Sequence, residues 1–551
     1  MLLLALACTK DTPPDSGAPE AYAPDAHGVG EGTLTAGAAA VDITPACFES
    51  WTDLDADAEW DDDEDFLDCG CDRLCPDDEG YPGPDEGEGD EVFQAVWMAG
   101  FQNNRPAAGV RDPVWARSIL LEQGDVRVAL VVVDLVGWMH PEVEGVREAA
   151  ADLDIDHITV VATHTHEGPD TLGLWGRTET KSGFTPDYRQ DVIDGCVESL
   201  RQADADRRQV GELVVGSVDA STYSEVGILN ILQDKRDPKV VDTALGAAIL
   251  RDTDGETIAT LSHFGNHPEA MADENGLITS DYAHALRDGL ENGVTYEAYS
   301  REGYGGVSIF LTGLVGGMMT PLGITHTDPD GVERREYTFE KTDAIGYSKA
   351  EMAMDAIDDG SVYADPQLAF AHKQFYLPVE NWGFQAMFLT GIINREIYNY
   401  DDASPLGEGN IPEAKTEINV LQLGPIELLT LPGEVLPELA VGGYDGSRVG
   451  TTYDDVIEED NPNPPDLSAA PEGPYWKEYV QGEHRWLLGL ANDEIGYIIP
   501  PYNFKLHASQ PWFEEDEGDH YEETRSLGID TAPVLEEQII ELTTWVYDNQ
   551  R

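Results

Sequence analysis

Between residues 114 and 166 the chain changes its hydrophobic period three times. VWARSILLEQ (114–123) and RVALVVVDLVG (127–137) are apolar, β-branched runs of strand length. HPEVEGVREAAADL (140–153) places its apolar residues at helical spacing, and HITVVATHTH (157–166) reads as a strand again. A helix with one apolar face follows at 185–206. Later strand runs lie at 257–267, 306–316, 416–424 and 426–434, and helical patterns at 280–293, 343–357 and 534–548. Strands apolar on both sides, alternating with helices, predict an α/β fold in which mixed β-sheets are flanked by helices and covered on both faces.

The regular pattern starts at TAGAAAVDITP (35–45), a short strand closed by Pro45, and is interrupted by an acidic, cysteine-containing insertion over 46–91. Before it, residues 9–33 are rich in Pro, Gly, Asp and Ala and read as a disordered tether. The catalytic unit is expected over 34–551, with a Pro- and acid-rich loop at 456–474. Residues 1–8, MLLLALAC, resemble the end of a bacterial lipoprotein signal with Cys8 as the lipidated residue. Export is expected, as a lipoprotein at the periplasm or cell surface or in secreted form.

Composition sharpens this picture. Among 551 residues, 107 Asp and Glu face 32 Lys and Arg, a formal charge of −75. Phosphate backbones would be repelled, so nucleic acid is not an expected partner, while cations are. Cys47, Cys69, Cys71 and Cys75 fall in the acidic insertion, and outside the cytosol they suggest two disulfides with three pairings open. Zinc binding by the four is the rival reading. Cys196 reads as a buried free thiol. In DLDADAEWDDDE (53–64), Asp53, Asp55, Asp57 and Glu64 take the first, third, fifth and twelfth positions of a calcium loop. Ala58 stands where the sharp turn favours Gly, so a Ca2+ site and a solvated acidic loop both stay open.

The candidate chemistry lies at strand ends, where α/β folds gather their sites. His164 and His166, two apart in ATHTHEGP (162–169), would share one side of a strand. His267 follows the strand run 257–267, in which His263 reads as a sheet residue. LTGLVGGMMTP (311–321) breaks at paired glycines, which suit either a close backbone approach to a ligand or a tight turn. Glu434 ends LPGE, and Tyr497 and Tyr521 come later. Two histidines, a glutamate and an open position suit a zinc hydrolase. Trp97, Met98, Phe101 and Trp175 could line an acyl-chain groove or belong to the core.

Taken in order, DITP, MAGF, WARSILLE, ATHTHEGP, NHPEAM, GGMMTP, LPGE and NDEIGYIIP resemble the neutral (non-lysosomal) ceramidase family, zinc amidases that split ceramide. The resemblance implies zinc ligands at His164, His267, Glu434 and Tyr497. It implies that His166, Tyr521 and Thr320 act on the substrate, with attack by zinc-bound water on a lipid amide, in reach of a membrane surface. Three departures stand out. Met318 replaces a polar residue in the turn that ends at Thr320. Leu229 or Asn230 stands where the family has an arginine. The chain ends soon after Tyr521, which implies that no immunoglobulin-like C-terminal domain follows. Two other readings accompany this one: a hydrolase of the same fold acting on another amide or ester, and a non-catalytic surface protein that binds calcium or glycans.

Overall fold

The computed structural model describes residues 22–61, 63–444, 453 and 455–550. Cys8 and the expected signal segment lie outside the described residues. In chain order the main strands of the first part are β1 (Ala26–Val29), β2 (Leu34–Asp42), β3 (Trp115–Gln123), β4 (Val126–Val133), β5 (His157–Ala162), β6 (Arg208–Asp219), β7 (Ala244–Asp252), β8 (Thr257–Phe264) and β9 (Val307–Thr312). Then come β10 (Ser361–Tyr363), β11 (Leu368–Pro378), β12 (Glu413–Leu423), β13 (Ile426–Thr430), β14 (Glu434–Val435), β15 (His484–Leu488) and β16 (Tyr497–Ile498). The helices that cover them are α1 (His140–Ala149), α2 (Pro186–Ala205), α3 (Tyr282–Asn292), α4 (Phe339–Asp358) and α5 (Thr531–Gln550).

The larger sheet runs β9-β8-β7-β6-β2-β3-β4-β5, with β10 added to β6. Only β4–β5 and β8–β9 are parallel, each pair joined through a helix, α1 and α3 respectively. Parallel neighbours require such a crossover. The second sheet runs β1-β11-β12-β13-β15. Both faces of the larger sheet are covered, as the apolar strands demand, but helices cover only one. Val128, Leu130 and Val132 point to a core shared with Phe370, Leu421, Leu428 and Trp486 of the second sheet. Ala129, Val131 and Val133 face α1 and α2 instead. Helices α3 and α4 pack beside them over β7 and β9, and α5 covers the outer face of the second sheet. The layers are therefore helix, sheet, sheet, helix.

The larger sheet curls until its edge strands meet. The Thr312 hydroxyl at the end of β9 donates to the Ala162 carbonyl at the end of β5, 2.9 Å away. Two sequence expectations need correction here. Part of the expected 9–33 tether is a strand: β1 pairs antiparallel with β11, from Ala26↔His372 to Val29↔Ala369. The cysteines of the insertion are paired as disulfides, Cys47–Cys71 and Cys69–Cys75, which removes the reading in which they bind zinc. Cys196 is buried and free, and burial pushes its thiol up to about 12.

Candidate metal centre

His164 and His166 do not sit on the strand. β5 ends at Ala162, and His164 has φ of 69°, in the left-handed region, so the alternation of a strand cannot place the two rings. Three backbone hydrogen bonds hold the turn: Thr163 N–H to the Val133 carbonyl, His164 N–H to Leu135 and His166 N–H to Pro268, at 2.9, 2.9 and 3.0 Å. His267 lies three residues past β8, and its backbone N–H donates to the Met319 carbonyl at 2.8 Å. Glu434 opens β14 beyond the Pro432-Gly433 turn and pairs in register with Tyr497 of β16. A site of four distant segments is thus built where the curled sheet meets the second one.

The side chains converge. Glu434 Oε2 lies 3.3 Å from His164 Nε2 and 3.2 Å from His267 Nε2. On the far side of each ring, Nδ1 faces a backbone carbonyl, Val136 at 2.5 Å for His164 and Met319 at 3.0 Å for His267. A carbonyl only accepts, so each Nδ1 carries a proton and Nε2 is the ring atom turned to the carboxylate. That is the outer-shell arrangement of metal-ligating histidines. Burial alone would raise the Glu434 carboxyl, but the adjacent imidazoles hold it at about 2, so it is ionised. Imidazole nitrogens and a carboxylate oxygen suit zinc and its neighbours better than calcium or magnesium. The donors present therefore fit a divalent metal ion.

The remaining expected residues fall into different places. His166 Nε2 lies 3.3 Å from His164 Nε2, and its Nδ1 lies 3.2 Å from Glu269 Oε2. Burial, with His164, His267 and Arg105 nearby, keeps this imidazole well below its usual range and hence neutral. Thr320 is buried beside Glu269, and its hydroxyl accepts the Leu322 N–H at 3.0 Å. Tyr497 is buried beside Glu434, with its hydroxyl 3.5 Å from the Met318 sulfur. Tyr521 stands at the rim, 41% exposed, its ring 6.2 Å from that of Tyr497. Of the aromatic and sulfur residues considered for an acyl groove, Met98 is core, while Phe101 sets its ring 5.2 Å from His166 and accepts the Trp175 indole N–H at its carbonyl. Trp97 is half-buried and bridges to Pro106. Leu229 is exposed and Asn230 binds the Thr327 backbone, away from the centre. Gly316 serves close approach between loops: a Cβ there would lie 2.5 Å from the Val435 carbonyl carbon.

Three supporting residues escaped the sequence reading. Glu269 was within a noted motif, but its contact with His166 depends on the fold. Arg105 is fully buried, donates to the His166 and Ala99 carbonyls and faces Glu167 at 3.5 Å. This explains the acid that follows the histidine pair. Arg236 is buried and binds Glu522 and Glu523 at 2.6 and 2.8 Å, fixing the turn that carries Tyr521. Arg105 leaves one signal, a charge with no acid near it in sequence, while Arg236, between Asp234 and Asp237, leaves none.

In the acidic insertion, single carboxylate oxygens of Asp53, Asp55 and Asp57 lie within 4.8 Å of one another. Glu64 does not join them. It is buried and accepts the backbone N–H groups of Leu54 and Asp61 at 2.7 and 3.0 Å. Ala58 makes the turn with φ of 58°.

Gly100 is needed for His166. Its φ is 106°, and a Cβ would lie 2.4 Å from the Cβ and Cγ atoms of His166. Gly100→Ala is expected to lower turnover about 10²-fold by displacing that ring, while the metal content measured by mass spectrometry stays at the wild-type value.

The fold and these donors define an α/β protein with a candidate metal centre at the meeting of two sheets. Residues 92–326 match the model of the neutral/alkaline non-lysosomal ceramidase N-terminal domain. The neutral ceramidase of Mycobacterium tuberculosis is 30% identical over 203 residues, 33% of this chain and 31% of that protein. That of Pseudomonas aeruginosa is 26% identical over 201 residues, 34% of this chain and 30% of that protein. The matched stretch thus spans about a third of each curated relative. In structure, the crystallised P. aeruginosa neutral ceramidase superposes with a TM-score of 0.58 at 16% identity, covering 94% of this chain and 75% of that one. A ceramidase complexed with C2 gives 0.55 at 14%, with the same coverage. Over residues 92–326 the chain is similar to the neutral/alkaline non-lysosomal ceramidase family, and its fold is that of the crystallised neutral ceramidase.

Proposed function

We propose that this protein hydrolyses the amide of ceramide or a related N-acyl lipid, with zinc as the resident ion. The observation that carries the proposal is the pair of imidazoles whose Nδ1–H groups are locked on backbone carbonyls while both Nε2 atoms meet Glu434 within 3.3 Å. His164, His267 and Glu434 would hold the ion, with Tyr497 beside them. When bound, such an ion acts as a Lewis acid and lowers the pKa of water. The protein's own residues do the rest. Glu269 stands 3.2 Å from His166 Nδ1, while His166 Nε2 faces the centre, 3.3 Å from His164 Nε2, and can take or return a proton there. Tyr521, at the rim, is placed to donate its hydroxyl to a substrate carbonyl oxygen. Two disulfides support a location outside the cytosol. Among the described residues, no helix is long and apolar enough to cross a membrane.

Met318 favours a second reading, a different amide or an ester, because a thioether stands 3.5 Å from the Tyr497 hydroxyl where the family resemblance implies a polar side chain. Purified, zinc-loaded protein is tested on N-acyl sphingosines of several chain lengths beside simple amides and esters. Release of sphingosine, abolished by a chelator and restored by Zn2+, is the expected result. Turnover of esters alone selects the second reading, and no metal-dependent turnover of any of them defeats both.

A further inference from the structure

The end of β5 opposite the candidate metal centre carries a second group of imidazoles and carboxylates. β5 starts at His157, roughly 20 Å from His164 at about 3.3 Å per residue. Around it gather His140, Glu144 and Arg147 from one face of α1, His372 and Gln374 from β11, and Glu417 from β12. Glu417 is fully buried, and the Arg147 guanidinium grips both its oxygens, at 2.8 and 2.5 Å. The same guanidinium reaches Glu144 at 2.7 Å. His140 Nε2 lies 3.5 Å from Glu417 Oε2, and His157 Nε2 lies 3.8 Å from Oε1. Neither nitrogen makes a hydrogen bond, although both residues are more than nine-tenths buried, and His372 Nδ1 is unpartnered as well. A cavity of about 300 Å³, lined by Glu144, Arg147, His157 and His372 with Asp25 and Asp156, opens beside this cluster.

Buried polar nitrogens without partners are costly, and in a native protein each calls for an explanation. Two features say what would satisfy these. Glu144 and Glu417 carry two negative charges against the single positive charge of Arg147, so the cluster favours a cation. Its available donors are imidazole nitrogens and carboxylate oxygens, the ligand set of zinc and other first-row divalent ions. One ligand atom each from His140, Glu144 and Glu417 already lies within 4.8 Å of the others. Ligands on a tetrahedral zinc are roughly 3.3 Å apart. Glu144, half-exposed at the cavity and held by Arg147 at 2.7 Å, is the group that would turn inward.

We propose that His140, Glu144 and Glu417 form a second site for a zinc-class divalent cation, with the unpartnered nitrogen of His157 available beside it. Arg147 then works from outside, orienting both carboxylates. The site would brace the start of α1, whose first backbone N–H is also held by Asp493 at 3.0 Å. Just before it, the Leu135 and Val136 carbonyls hold His164.

The test counts zinc per chain by mass spectrometry after saturation and gel filtration, in millimolar Ca2+ to occupy the acidic insertion. The wild type is expected to retain two equivalents. Glu144→Ala should retain one, as should the His164→Ala/His267→Ala variant, and the combination of all three changes none. Glu144 is half-exposed and outside the core, so its variant is the one chosen to fold. A wild-type count of one, or a count that Glu144→Ala leaves unchanged, overturns the proposal.

Discussion

Glu434→Gln and His267→Ala are each expected to cut lipid-amide hydrolysis by about 10³-fold or more. Both act on the same atoms. Glu434 Oε2 is the meeting point of two Nε2 atoms, 3.3 and 3.2 Å away. Gln keeps the shape and removes the charge, and Ala removes one of the two inward-facing nitrogens. Metal ions contribute several kcal/mol to transition-state stabilisation, and each 1.36 kcal/mol is tenfold in rate. The same variants should lose bound zinc at the centre. Initial rates on a fluorogenic N-acyl sphingosine, read beside metal content, check both. A variant that keeps full turnover after losing the ion would refute the proposed chemistry. Gly100→Ala separates positioning from binding, since it disturbs His166 and leaves the ligands in place.

Arg105→Ala is expected to destabilise the protein by about 3–5 kcal/mol, the usual penalty for removing one partner of a buried pair. The guanidinium is fully buried with Glu167, and it also satisfies the carbonyls of Ala99 and His166. Burial already pushes the Glu167 carboxyl well above its ordinary range, with Arg105 and Asn275 opposing that rise. Without Arg105, Asn275 alone would remain to hold it. Adding Glu167→Gln should therefore recover part of the loss, because the stranded charge is gone. Urea midpoints for the two single variants and the double complete the cycle. Equal stability of Arg105→Ala and wild type would show that the pair is not structurally important.

The strands and helices were legible because their periods are strong. VRVALVVV is apolar at every position but one, and a strand buried on both faces needs that. What the period could not reveal was which layer buries each face, since a helix and a second sheet ask for the same residues. β1 was illegible for another reason: AHGV has little strand preference and takes its form from pairing with β11. The histidine pair was found, but its geometry was not, because His164 leaves the strand with a positive φ. The contact between β5 and β9 joins residues 150 apart, a distance over which no local pattern speaks. Glu269, Arg105 and Arg236 act through partners equally remote in sequence, and the disulfide pairing was one of three that spacing allowed.

The curled larger sheet supplies His164 and His267, but Glu434 and Tyr497 come from segments that flank β13 and β15 of the other sheet. A fragment limited to 92–326 would carry both imidazoles and neither the carboxylate nor the phenol. If these four groups hold the ion as proposed, ion uptake would be a late event of assembly, and a half-built chain would have no means of switching on that chemistry.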